Sequence, residues 1–439
     1  MTRPPPSERA AWIMVVVCTL AYICSFIDRY VLGILVQPIK SEFGLTDTQM
    51  GVLLGPAFAI FYATMGLPMG WLTDRVRRTW MLGVATAFWS LATGAMGFVT
   101  GFGQLFASRM SVGIGEAALS PGALSMIADS FPRKKRGAPI AVYSTALAIG
   151  AGLASLLSAT ILTYAKQAHE LYFLGFGPLS PWRFTFLAVS LPGFIIAPLF
   201  FLLREPPRGL DDVEGEKPVR SLGDGLIWVK GRLTSYLGLV SLVCVMTIIA
   251  YGQGGWNAAL FERNWGWAPE RFATINGLLN LIVGPLAVLA AGRVADAWSK
   301  RLPDAPLRIL LVGALIMIPC ASLAPLMPTP VLAFVFLALS TVGIGMVSAV
   351  GVLSVLEITP ALVRGQVVAL YYMAISLCGL FLGPPVVGWL SDHVFGPKQL
   401  KWAMATLPIL FGSLPLLLAP RTRALYLQAL VRQKTTPPP

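Results

Sequence analysis

Four charged residues lie inside stretches of sequence that are otherwise apolar. Asp28 and Arg29 fall in a run at 11–37, and Arg109 and Glu116 fall in a run at 103–130. In hydrocarbon such a charge costs at least about 2.5–3.5 kcal/mol, so it faces a cavity or a partner. A carboxyl there can take up and release a proton, and an arginine can hold its anion or the anionic group of a solute. On a helix Arg109, Gly113 and Glu116 are i, i+4 and i+7 and share one face. The pattern is expected to place Asp28 about 13 Å deep, between Arg109 at about 8 Å and Glu116 at about 18 Å. Asp28 and Arg29 point about 100° apart and cannot both address one partner. Gly113 and Gly115 let a backbone or a substrate approach closely. A structural ion pair fixing two helices and a protonation and substrate site are both compatible with these four charges. Leu339 and Met346, the positions matching Arg109 and Glu116 in the second half, are uncharged, which favours the second reading.

Further candidates lie at the ends of the apolar runs. Gly70-x-x-x-Asp74-Arg75-x-Arg77-Arg78 places charge at a loop mouth, where Asp74 is expected to meet a helix N-terminus of the other half; a basic loop that merely sets orientation is the plainer reading. Asp129 and Glu357 stand at matching places in the two halves and join Gly70, Asp74 and Arg75 as expected gating residues. Arg133-Lys-Lys-Arg136 reads as topogenic. The glycines of Tyr251-Gly-Gln-Gly-Gly-Trp256 are expected to weaken a helix beside a cavity; Trp256 reads as a substrate contact or an interfacial aromatic, and Asn276 and Asn280 as substrate contacts or as bonds to neighbouring helices. Gly379, Gly383, Pro384, Pro385 and Gly388 predict a bend. There is no phosphate-binding loop, nucleophile elbow or His pair, and His169 and His393 fall in outer loops. No enzyme activity, metal or cofactor is therefore expected.

The elements that must position these residues follow from composition. Hydrophobic residues make up 56% of the chain and charged residues 12%, with a mean hydropathy of +0.72. Twelve segments are long enough to cross a bilayer, at 11–37, 47–71, 79–101, 103–130, 138–165, 181–203, 232–256, 270–292, 306–327, 330–357, 365–390 and 401–420. Lipid offers backbone groups no partner, so the segments are helices, and the chain is an all-α membrane protein. The organisation expected is an N-tail 1–10, a six-helix bundle 11–203, a linker 204–231, a second six-helix bundle 232–420 and a C-tail 421–439. Most Lys and Arg fall on one side, in the tails, the linker and the loops after spans 2, 4, 8 and 10. The other side carries few (Lys40, Lys166, Arg183, Arg263, Arg271, Lys398, Lys401). This positive-inside pattern puts both termini in the cytoplasm and accounts for the net charge of +13 without nucleic acid. The five cysteines all lie in apolar spans and read as packing residues. The Pro-rich ends, Pro4–Pro6 and Pro437–Pro439, read as disordered tails.

The two halves repeat. Gly70-x-x-x-Asp74 matches Gly292-x-x-x-Asp296, Val112-Gly-Ile-Gly115 matches Val342-Gly-Ile-Gly345, and Asp129 with Arg136-Gly137 matches Glu357 with Arg364-Gly365. Three matches in one order indicate parallel six-span repeats, with a solute site between them near mid-membrane.

These motifs resemble the major facilitator superfamily: the loop motif at Gly70–Arg75 and the span 4 motif Arg109-x-x-x-Gly113-x-Gly115-x-Ala117. The spinster-like branch is closer, on Phe26-Ile-Asp28-Arg29-Tyr30, Gly113-Ile-Gly115-Glu116-Ala117 and Arg204-Glu-Pro-Pro-Arg-Gly209, more sharply in the first half than in the second. The resemblance implies a proton-coupled secondary carrier, working as a monomer by alternating access in the plasma (inner) membrane, for lipid-like or other amphiphilic solutes such as lysophospholipids. Its partners would be that solute, protons and membrane lipids. Asp28 and Arg29 would be the coupling pair, Arg109 the partner of Asp28, and Glu116 a substrate and proton residue. The chain departs from the family pattern at Arg77 and Thr79, in lacking a Gly-Pro pair around Gly150 and Gly152, and at Ala258, where a proline is expected. A passive facilitator or lipid scramblase, and a transport-dead sensor, are the alternatives.

Overall fold

The computed structural model describes residues 7–132, 135–168, 170–173, 175–208, 224–360 and 363–435. Outside them lie Arg133 and Lys134 of the basic loop, His169, linker residues Gly209, Asp211, Asp212, Glu214 and Glu216, and both Pro-rich ends. The described chain is helical, and it divides into two compact units: Met1–Glu216 with Gly266–Leu281, and Lys217–Trp265 with Ile282–Pro439.

The first unit holds α1 (Glu8–Ile34), α2 (Val36–Phe43), α3 (Asp47–Leu54), α4 (Pro56–Thr73), α5 (Arg78–Ala95), α6 (Phe102–Glu116), α7 (Leu119–Ser130), α8 (Gly137–Gln167) and α9 (Pro181–Leu202). The second holds α10 (Asp224–Lys230), α11 (Leu233–Trp265), α13 (Ala305–Leu323), α14 (Pro330–Glu357), α15 (Arg364–Leu390), α16 (Leu400–Leu417) and α17 (Ala419–Thr435), with α12 (Pro269–Ser299) divided between the units. Among the described residues eleven helices are long and apolar enough to cross a membrane. The twelfth expected span is present in two pieces, α6 and α7, each too short to span alone. The break follows Glu116.

Helix starts follow local chemistry. Ser7 caps α1 by accepting from Ala10 N–H at 3.3 Å. Thr46 and Gln49 form a reciprocal capping box at α3, satisfying N–H groups that have no partner within the helix. In the first unit α1 packs on α8, α4 on α6, and α5 on both α6 and α9. Its portion of α12 meets α8 where Gly152 faces Gly277; a Cβ on either glycine would lie 2.9 Å from the other's carbonyl oxygen. Only glycine allows so close an approach.

One sequence expectation changes. The Tyr251–Trp256 glycines do not interrupt α11, which runs on to Trp265. Gly252 is a packing glycine instead, where a Cβ would sit 2.4 Å from Leu407, and it faces Gly383 of α15, where a Cβ would sit 2.5 Å from the Ile248 carbonyl; Gly254 has open space at its Cβ position. Pro384 and Pro385, where a bend is expected, lie inside α15. Beyond 420 the chain forms α17, tied down where Arg423 bonds Asp304 and the Tyr426 hydroxyl donates to Glu357.

Candidate functional site

The charged residues of spans 1 and 4 meet inside the first unit. Arg29 Nε donates to Glu116 Oε2 at 2.7 Å, and its Nη2 reaches the same oxygen. The Glu116 side chain is fully buried and that of Arg29 is 11% exposed. The last residue of α6, Glu116, is positioned by the glycines before it. Gly113 lets α6 ride on α4, its missing Cβ lying 2.6 Å from the Phe58 carbonyl, and Gly115 rests on the Cβ of Trp89. Aromatic faces surround the guanidinium of Arg29, with Phe58 at 4.8 Å, Tyr62 at 4.9 Å and Phe26 at 5.5 Å. These faces attract a cation and exclude water.

Arg109 is buried, and it donates to main-chain carbonyls: to Asp28 O at 3.0 Å and Leu53 O at 3.3 Å. It therefore holds the Asp28 segment by its backbone, where opposite charge had suggested the carboxylate. Asp28 is buried, and its Oδ1 has no hydrogen-bond partner among the described residues. Glu116 Oε1, Thr93 Oγ1 and Trp89 Nε1 share that condition. Thr93 and Trp89 are one turn apart on α5, and neither was singled out from sequence, where they read as ordinary span residues.

A second charged cluster lies at the ends of α5 and α7. Arg78 is buried and bonds Asp129, Ser125 Oγ at 2.9 Å, Glu205 Oε1 at 2.8 Å and the Pro206 carbonyl at 2.7 Å. Glu205 also accepts from Thr79 N–H at 3.0 Å, and Arg208 donates to Thr73 O at 2.8 Å and Val76 O at 2.7 Å. The segment after α9 thus folds back over the loop between α4 and α5. Burial works against ionisation of Glu205, but bonds from Thr79 and Arg78 outweigh it and hold the carboxyl below its ordinary range. Sequence reasoning missed this role of Arg78 and Glu205; the Arg-Glu-Pro-Pro-Arg string was its signal. Asp74 and Arg75 are exposed, Arg75 lying 3.9 Å over the Trp71 ring, and Gly70 is half-buried with open space at its Cβ position.

Asn276 and Asn280 are half-buried on α12. In the second unit Trp256 is fully buried and gives its indole N–H to Pro384 O at 3.0 Å, leaving no surface for a solute in this structure. Glu357 accepts from Tyr426 at the end of α14.

A model of the Major Facilitator Superfamily matches residues 18–382. An MFS-type efflux pump of Mycolicibacterium smegmatis is 29% identical over 387 residues, covering 88% of this chain and 86% of the relative. A putative tartrate transporter of Agrobacterium vitis is 24% identical over 390 residues, 85% of each chain. Protein spinster of Drosophila melanogaster is 23% identical over 318 residues, 71% of this chain but 50% of that protein, so the match spans half its length. The crystal structure of a bacterial homolog to the human lysosomal transporter spinster, in an inward-facing and unoccupied conformation, superposes with a TM-score of 0.81. It shares 25% identity, over 97% of this chain and 98% of that one.

Proposed function

Because the chain belongs to the major facilitator superfamily, is spinster-like within it, and so is a multi-pass membrane transporter and not an enzyme, we propose that it is a proton-coupled secondary carrier for an amphiphilic solute, working by alternating access. The observation that carries this reading is the buried Arg29–Glu116 pair with Asp28 beside it. A buried ion pair adds little to stability compared with well-packed apolar residues, so its retention in the first half alone points to use. Glu116 is the proton site. A proton on its carboxyl removes the charge that holds Arg29, and the freed guanidinium keeps its place against Phe58 and Tyr62. There it can take the anionic head group of a solute while the rings and apolar helix faces take the tail. Asp28 is the second carboxyl within reach of this exchange, and Arg109 fixes the backbone that carries it. Asp129 with Arg78, Glu357, and Gly70 with Asp74 and Arg75 serve the conformational change. The termini lie on the cytoplasmic side of the plasma membrane, as the distribution of Lys and Arg supports.

The substrate class rests on the spinster-like relatives. The tartrate relative makes a small organic anion the second reading, since Arg29 suits any carboxylate or phosphate. The test is proton uptake by purified protein in weak buffer with a pH dye, on addition of lysophosphatidylethanolamine or tartrate. Wild type should exchange protons with one of these, and Glu116→Gln should bind it without exchange. Binding with no proton exchange in wild type would leave a passive facilitator, a scramblase or a sensor.

A further inference from the structure

A groove on the first unit takes no part in the transport reading. Its walls are α4 and α5, and α6 and α7 pack against both to make its floor. Met69, Leu72, Val84, Phe88, Ile114 and Gly115 line it, and it encloses about 560 Å³. Val84, on the α5 wall, is 58% exposed and Leu67, on the α4 wall, 76% exposed, so the groove opens on an apolar surface of a membrane-spanning bundle.

One end of the groove is different. Arg77 lines it there, exposed and 5.7 Å from the Trp80 ring centre, and among the described residues it makes no ion pair. Trp71 and Trp80 flank this end, both more than half exposed, as aromatic residues do at head-group level. From Arg77 to Phe88 the chain rises about 16 Å. One leaflet of hydrocarbon is about 15 Å deep. The groove therefore reaches from the head-group level to mid-membrane and stops at the break between α6 and α7.

We propose that this groove binds an anionic phospholipid of the adjoining leaflet, its phosphate on Arg77 and one acyl chain laid along the groove to Gly115. The volume spread over that length gives a cross-section of about 35 Å², room for a hydrocarbon chain. The cation at one end selects head-group charge and the apolar walls do not. Because Gly115 precedes Glu116, the lipid lies against the back of the broken span that carries the ion pair.

The test uses the full chain in phosphatidylcholine vesicles containing a trace of phosphatidylglycerol or phosphatidylcholine, each with a photoactivatable group in one acyl chain. Phosphatidylglycerol should label Val84, Phe88 and Ile114 in preference to Ile195, an exposed apolar residue elsewhere on the unit. One Lys or Arg near an anionic surface is worth about 1 kcal/mol, so Arg77→Gln should lower that labelling about fivefold. Arg301→Gln should not lower it. Ala85→Trp fills the groove from its α5 wall and should remove labelling by both lipids. Labelling equal to that at Ile195, labelling that Arg77→Gln leaves unchanged, or cross-links to peptides of a second copy would each overturn the proposal. The variants are compared at matched thermal stability, so a misfolded Ala85→Trp leaves Arg77→Gln to decide.

Discussion

Removing Arg29 alone should destabilise the protein far more than removing both members of its ion pair. Glu116 is fully buried, and its Oε2 takes both bonds from Arg29 while Oε1 has no hydrogen-bond partner among the described residues. Arg29→Met leaves that carboxylate in a dry interior without its cation. The cost of breaking such a pair from one side is about 3–5 kcal/mol. Glu116→Met should cost less, about 1–3 kcal/mol, because the part-exposed Arg29 cation keeps its ring faces. In the double variant Arg29→Met with Glu116→Met no charge remains to be solvated, and apolar replacement of a buried pair is often neutral or better. The double variant should therefore lie within about 1–2 kcal/mol of wild type, with a coupling energy near or above the usual ceiling of about 3 kcal/mol. Unfolding of purified protein in mixed micelles, followed by tryptophan fluorescence, gives all four free energies. Additive losses, with the double variant least stable of all, would refute the view that Arg29 is there to neutralise Glu116.

Other outcomes follow from contacts elsewhere. Glu205 is held below its ordinary value of 4.5, so its bonds to Arg78 and Thr79 contribute stability above that pH, lost as pH falls through and below it. Glu205→Gln should flatten the acid limb of a stability–pH curve between about pH 5 and 2 and leave the neutral side unchanged in slope. Gly113→Ala puts a Cβ 2.6 Å from the Phe58 carbonyl. It should cost about 1–3 kcal/mol in the same unfolding assay, because α4 and α6 must separate. Trp256→Phe removes the bond to Pro384 O but keeps most of the buried ring; a loss of about 1 kcal/mol is expected with substrate affinity unchanged, whereas a loss of affinity would restore Trp256 to the substrate site.

The fold was readable where the bilayer dictates it. Span length is set by hydrocarbon thickness, so apolar runs marked the spanning helices within a few residues, with α11 and α12 running further. Glycines were harder. Gly252 and Gly254 looked like weak points in α11, yet a glycine that admits a neighbouring helix and a glycine that lets a helix break have the same sequence signature. The break came in span 4 instead, after Gly113 and Gly115 had been used to seat α6 on Phe58 and Trp89. Depth and sign of charge brought Asp28, Arg29, Arg109 and Glu116 to one region. They did not show that Arg109 would bond main-chain carbonyls, because carbonyl acceptors leave no mark in a sequence. Arg78 read as one more basic residue of a loop, since its partners Asp129 and Glu205 come from elements distant in the chain.

The central claim is that proton movement drives the solute through the Arg29–Glu116 site. Its most direct test is uptake of lysophosphatidylethanolamine, with tartrate in parallel, by vesicles holding the purified protein, with and without a pH gradient. The account predicts accumulation against a concentration gradient only when the pH gradient is present, abolished by a protonophore and by Glu116→Gln. Equal uptake with and without the gradient, or gradient-driven accumulation that Glu116→Gln leaves intact, would contradict it.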